Sequence, residues 1–135
     1  MKNLIFSISA LLFLVSVSCE KKTNCANFRT GTYLISKDSL FKNPSKLVKT
    51  EHTQYQVSSQ GDTLFAKVKW LNDCSYRLTF DKSKMTLSPF HINVNNREGF
   101  LVEFGIPSGD IMPYVSVLKG ETKTEVFRGY LKKVN

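Results

Sequence analysis

Histidine, cysteine and tryptophan are scarce in this chain, at two, three and one among 135 residues. His52 and His91 fall in separate segments, and no His-x-x-x-His or Cys/His cluster is present, so no metal centre is legible. No Cys-x-x-Cys occurs, which leaves a thioredoxin-type redox role without support. Glycine-rich phosphate loops are missing. Ser108-Gly109-Asp110 has no nucleophile elbow around it, and a turn needs those residues for backbone reasons alone. Glu98 and Glu103, five apart, fall on opposite faces of an ideal strand, so a paired-carboxylate hydrolase is not indicated. With no cofactor motif either, the chain reads as non-enzymatic. Acidic residues are also few, 11 Asp and Glu against 19 Lys and Arg, giving a formal charge of +8. The basic residues are scattered, with Lys21-Lys22 and Lys132-Lys133 the only adjacent pairs. Scattered lysines fit solubility and attraction to anionic lipid, and no nucleic-acid partner is expected.

Long apolar runs are missing too. The longest, residues 4–17, has 14 residues and is diluted by Ser7, Ser9 and Ser16. A membrane-spanning helix needs roughly 17–25. Lys2 precedes the run and Ser18-Cys19 follows it, so residues 1–18 read as a secretory signal. Val15-Ser16-Val17-Ser18-Cys19 resembles the bacterial lipobox, which implies a fatty-acylated Cys19 tethering the chain to membrane lipid. Each buried CH₂ adds about 0.8 kcal/mol, and more than one chain is needed for stable anchoring. The expected location is the cell envelope. Glu20-Lys21-Lys22 lacks the acidic run that resembles surface-export signals, so a periplasm-facing anchor is the default over surface exposure.

Removing residues 1–18 leaves 117, enough for one domain. Residues 19–27 read as a polar tether and 28–135 as a single domain. If Cys19 carries lipid, Cys25 and Cys74 remain as an even pair in an oxidising compartment. A bridge between them would close a loop of about 50 residues, worth roughly 4 kcal/mol in the chain-entropy model. Two buried thiols are the other reading.

What the chain has in abundance is aromatic side chains, ten Phe and five Tyr, set in a period-2 rhythm. Leu64, Ala66, Val68 and Trp70 alternate with Phe65, Lys67 and Lys69. After Asn72-Asp73, which reads as a turn, Cys74, Tyr76, Leu78 and Phe80 alternate with Ser75, Arg77 and Thr79. Ile92 and Val94 read as another strand, as do Phe100, Val102, Phe104 and Ile106. Ile111, Val115 and Val117 follow, with Pro113 marking an edge or bulge. The last strand sets Phe127, Gly129 and Leu131 against Val126, Arg128 and Tyr130. Residues 30–36 and 51–58 are further strands, whereas 38–49 reads as a loop or helical turn interrupted by Pro44. The expected fold is all-β, a small antiparallel meander forming an up-and-down barrel or strongly curved sheet of lipocalin-like size. A two-sheet sandwich is the alternative. Gly31 in Thr30-Gly31-Thr32-Tyr33 permits close backbone approach near the start of the first strand, where Trp70 packs across the end or serves as ordinary core.

Two motifs, Cys25-Ala26-Asn27-Phe28-Arg29-Thr30-Gly31-Thr32-Tyr33 and Lys67-Val68-Lys69-Trp70-Leu71-Asn72-Asp73-Cys74-Ser75-Tyr76-Arg77-Leu78, resemble a group of small lipoproteins of flavobacterium-type bacteria. That group has a Cys-x-x-Phe-basic-Thr-Gly-x-aromatic opening and a central Trp-x-x-x-Cys-x-Tyr, and no established activity. The resemblance supports pairing Cys25 with Cys74. Some members carry a DNA topoisomerase IV label. This chain is too short for that chemistry and has no ATP-binding or cleavage-domain motif.

The function expected is non-enzymatic binding of an apolar ligand or an envelope protein. An internal cavity of roughly 300 Å³ or more would favour a ligand, and an exposed apolar patch would favour a partner. Phe65 and Leu71, on the otherwise basic face of their strand, are candidates for such a patch. The rival is an enzyme acting on envelope lipid or glycan, which needs a cleft with convergent titratable groups.

Overall fold

The computed structural model describes residues 24–134. Residues 1–18, expected to be a secretory signal, and Cys19, expected to carry lipid, lie outside the described residues. The alternation of residues 63–80 forms a hairpin of β4 (Thr63–Asn72) and β5 (Ser75–Phe80) around Asp73-Cys74. The Cys74 N–H donates to Asn72 Oδ1 at 2.9 Å, which closes the turn. Before it come β1 (Gly31–Ser36), β2 (Ser45–Lys49) and β3 (Thr53–Val57). After it come α1 (Pro89–Asn96), β6 (Phe100–Phe104), β7 (Ile111–Lys119) and β8 (Thr124–Lys133). Each strand pairs antiparallel with the next, and β1 pairs with β8, so eight strands close an up-and-down barrel. The sandwich alternative is thereby set aside. Closure removes every free edge, and the open chain ends of a meander become one more antiparallel ladder.

Five sequence expectations are corrected. Residues 92–94 are helix, not strand. Ser88 Oγ accepts from the His91 N–H and His91 Nδ1 accepts from the Ser88 N–H, both at 3.2 Å, a capping box with Pro89 in the first turn. Val94 is then buried while Ile92 is exposed, whereas a strand would put both on one face. Residues 45–49, expected to be irregular, form β2, with Leu47 and Lys49 inward. In β7 the inward set is Met112, Tyr114, Ser116 and Leu118 rather than Ile111, Val115 and Val117. Pro113 sits within a continuous register opposite Tyr130, at neither an edge nor a bulge. Finally, the folded unit already includes Cys25, ahead of the expected tether end at residue 27. Cys25 and Phe28 are buried in a 3-10 helix, Cys25–Phe28.

That short helix plugs one end of the barrel. Cys25 is bonded to Cys74, with Cα atoms 5.1 Å apart. Phe28 packs on Tyr33 and Phe104, with ring centres at 6.2 and 6.5 Å. Lys133 Nζ donates to the Asn27 carbonyl at 3.0 Å, tying the plug to β8. Arg29 pairs with Glu51 and, at 3.0 Å, with Asp73, and its guanidinium lies 4.5 Å from the Trp70 ring centre. The strand directions place α1 at the other end, between the top of β5 and the start of β6.

Candidate functional site

The barrel interior divides into two zones. The lower zone, against the plug, is solid and aromatic. Trp70 lies 4.6 Å from Tyr76 and 6.0 Å from Phe104, and Tyr76 lies 5.8 Å from Phe104, all as ring centres. Trp70 therefore packs against the core near the closed end. Gly31 adopts φ +131° there, and a side chain on it would meet the Tyr33 ring, whose hydroxyl donates to the Thr30 carbonyl at 2.7 Å. Burial pushes the Tyr33 phenol up to about 12 and pushes Tyr76 up as well.

Within this aromatic zone stands a lysine. Lys49 is 2% exposed, and its Nζ has no hydrogen-bond partner. Four rings surround that nitrogen, with centres at 4.6 Å (Tyr76), 4.7 Å (Phe104), 5.3 Å (Trp70) and 5.6 Å (Tyr33). Their faces attract a cation but offer no lone pair to an ammonium. Desolvation prevails and pushes the pKa down to about 7. Nothing in the spacing of residues 45–49 marks Lys49 as inward. Its position follows only from the register that sets Gly31 opposite Lys49 and Tyr33 opposite Leu47.

The upper zone is hollow. A cavity of about 150 Å³ lies inside the barrel, and every strand contributes to its wall. Ile35 and Leu47 come from β1 and β2, and Leu64, Ala66, Leu78 and Val102 from β4 to β6. Leu131 comes from β8. Gln54 and Gln56 on β3 and Ser116 on β7 are its polar points, and Tyr76 and Tyr114 also border it. Around its upper end Phe100 gathers three rings, Phe127 at 5.7 Å and Phe80 and Phe90 each at 6.4 Å. Phe90, Ile92 and Phe127 are 48%, 47% and 45% exposed, so the rim presents apolar surface to solvent.

The residues singled out from sequence are placed as follows. Cys25 and Cys74 are joined. Phe65 and Leu71 both point outward from β4 but do not meet, because six residues of strand span about 20 Å and Lys67 and Lys69 stand between them. Phe65 packs on Tyr55 at 6.2 Å, while Leu71 is exposed beside the plug end. The cavity wall is legible in part, since Leu64, Ala66, Leu78 and Leu131 belong to alternating apolar runs. Gln54, Gln56 and Ser116 carry no such signal, because a polar residue facing inward gives the same pattern as one facing outward. Among the described residues, no group of three or more His, Cys, Asp or Glu could hold a metal ion. No helix among them is long and apolar enough to cross a membrane.

No family model, curated protein or solved structure matches this chain.

Proposed function

We propose that the chain is an envelope lipoprotein, tethered through an acylated Cys19, whose barrel binds one small apolar ligand without chemistry. The observation that carries this reading is the interior cavity, walled by all eight strands and rimmed by phenylalanines. Its volume of about 150 Å³ is half the size at which a drug-sized ligand site begins. Room of that order takes a benzene-sized molecule or one slender chain. A drug-sized ring system does not fit, and the ligand class narrows accordingly.

The tether agrees with this geometry. Six residues from Cys19 to Cys25 reach at most about 20 Å, and the disulfide fixes Cys25 at the closed end. The plug then faces the anchoring membrane, and the Phe100–Phe127 rim faces away from it. The same exposed rim supports a second reading, in which a protein partner docks on Phe90, Ile92 and Phe127.

Calorimetric titration of the purified protein with octanol tests the ligand reading. Saturable binding is expected. It should be lost in Ser116→Phe, which fills the cavity from β7. Absent binding, or binding unaffected by that substitution, overturns the reading. For the tether, intact-mass measurement on the membrane fraction should find a chain beginning at an acylated Cys19. An unmodified thiol there would overturn it.

A further inference from the structure

Three buried side-chain atoms among the described residues lack a partner: Lys49 Nζ, Gln54 Oε1 and Trp70 Nε1. They are not scattered. Lys49 and Gln54 are directly opposed in the register of β2 and β3 and share the inner face. Lys49 Nζ lies 5.3 Å from the Trp70 ring centre. Folded interiors match the large majority of such groups. Mismatches gathered this way point to an occupant. A negative charge is what they lack, since the ion pairs among the described residues belong to Arg29, on the outside of the plug. The Gln54 amide serves either way round, because its oxygen and nitrogen exchange by a flip.

Gln54 also borders the cavity, as does Tyr76, the ring nearest to Lys49 Nζ. Of the three unmatched groups Gln54 reaches the cavity wall, while Lys49 Nζ and Trp70 lie behind the Tyr76 ring, below the chamber's floor. Above it the wall is aliphatic at Ala66, Leu78 and Leu131, and aromatic at Phe100. We propose that the cavity's ligand is a slender single-chain carboxylate, its head at Gln54, facing the charge of Lys49 across the Tyr76 ring, and its chain directed up toward Phe100 and Phe127. This rests on the cavity reading above and names the chemical class it takes. Lys49 supplies one positive charge, which matches a monoanion and would leave a phosphate dianion half-neutralised.

Calorimetric titration of the purified protein with octanoate and octanol separates the head from the chain. Near pH 6, below the Lys49 value of about 7, the lysine is charged and the carboxylate ionised. Octanoate is expected to bind at least tenfold tighter than octanol. Lys49→Met should abolish that preference and leave octanol binding intact. Above about pH 7 octanoate affinity should fall while octanol affinity stays level. The titratable groups facing Lys49 from β1 and β5, Tyr33 and Tyr76, are both shifted upward and stay neutral there. If octanoate and octanol bind alike, or Lys49→Met weakens both equally, the head-group assignment is overturned and the cavity reading stands. If neither binds, both fall. Lys49→Gln supplies the same comparison should the Met variant not fold, and the wild-type pair decides without any variant.

Discussion

Lys49 Nζ lies 4.6 Å from the centre of the Tyr76 ring, and that ring is also part of the cavity wall. The buried amine and the hollow of the barrel are thus separated by a single side chain. A change in the charge of Lys49 is therefore felt by the stability of the barrel.

The first expectation concerns stability against pH. The Lys49 pKa is lowered from 10.5 to about 7 by burial. Between these values the unfolded chain holds a proton that the folded chain has released. Stability therefore rises with pH through that window and is level below it. The slope is about 1.4 kcal/mol per pH unit, or roughly 2–3 kcal/mol from pH 7 to 9. Above about pH 10 the tyrosines reverse the trend, because Tyr33 and Tyr76 keep in the folded state protons that the unfolded chain loses. Urea unfolding at a series of pH values reads this directly. In Lys49→Met the rise should vanish, and a rise that persists there would assign it to another group.

Reduction of the Cys25–Cys74 bond is the second. The bridge spans 49 residues of sequence, and the chain-entropy model gives a loss of about 4 kcal/mol on opening it. The cost should fall first on the plug, since Phe28 and Arg29 are held beside the bridge. Urea unfolding with and without dithiothreitol gives the loss, and equal midpoints would contradict it.

Gly99 gives a third. It follows α1 with φ +79°, and a Cβ there would collide with the Leu78 carbonyl oxygen of β5. Gly99→Ala should cost at least about 2 kcal/mol from backbone strain and overpacking together. Gly109→Ala is the comparison. Its φ is +61° but nothing lies within 4 Å, so only the conformational part is lost. Equal losses in the two variants would show that the Leu78 contact yields freely.

Ser88→Ala is the fourth. It removes the side-chain acceptor of the α1 capping box, worth about 1 kcal/mol. The loosening should be local. Hydrogen exchange should quicken in α1, and the β7–β8 ladder should stay as protected as before. Uniform quickening would mean that α1 unfolds only with the whole barrel.

The sequence by itself determined the alternation of β4, β5, β6 and β8, because a strand half-facing a core must place apolar residues at every second position. It determined the compact turns between strands, and from these the antiparallel meander. It also offered Cys25 and Cys74 as a pair, and these are the two that are bonded. The tertiary structure alone decided where local pattern carries no sign. Ile92 and Val94 alternate like a strand, yet Ser88-Pro89 caps a helix there, and two apolar residues are too few to fix a period. Tyr114 and Ser116 face inward with Met112 and Leu118, although Val115 and Val117 are more apolar than those two, because the pairing of β7 with both neighbours sets its facing. Lys49 is buried for the same reason. Closing β1 on β8 fixes which side of every strand is inside, and a residue carried in by that register stays in, whatever its charge.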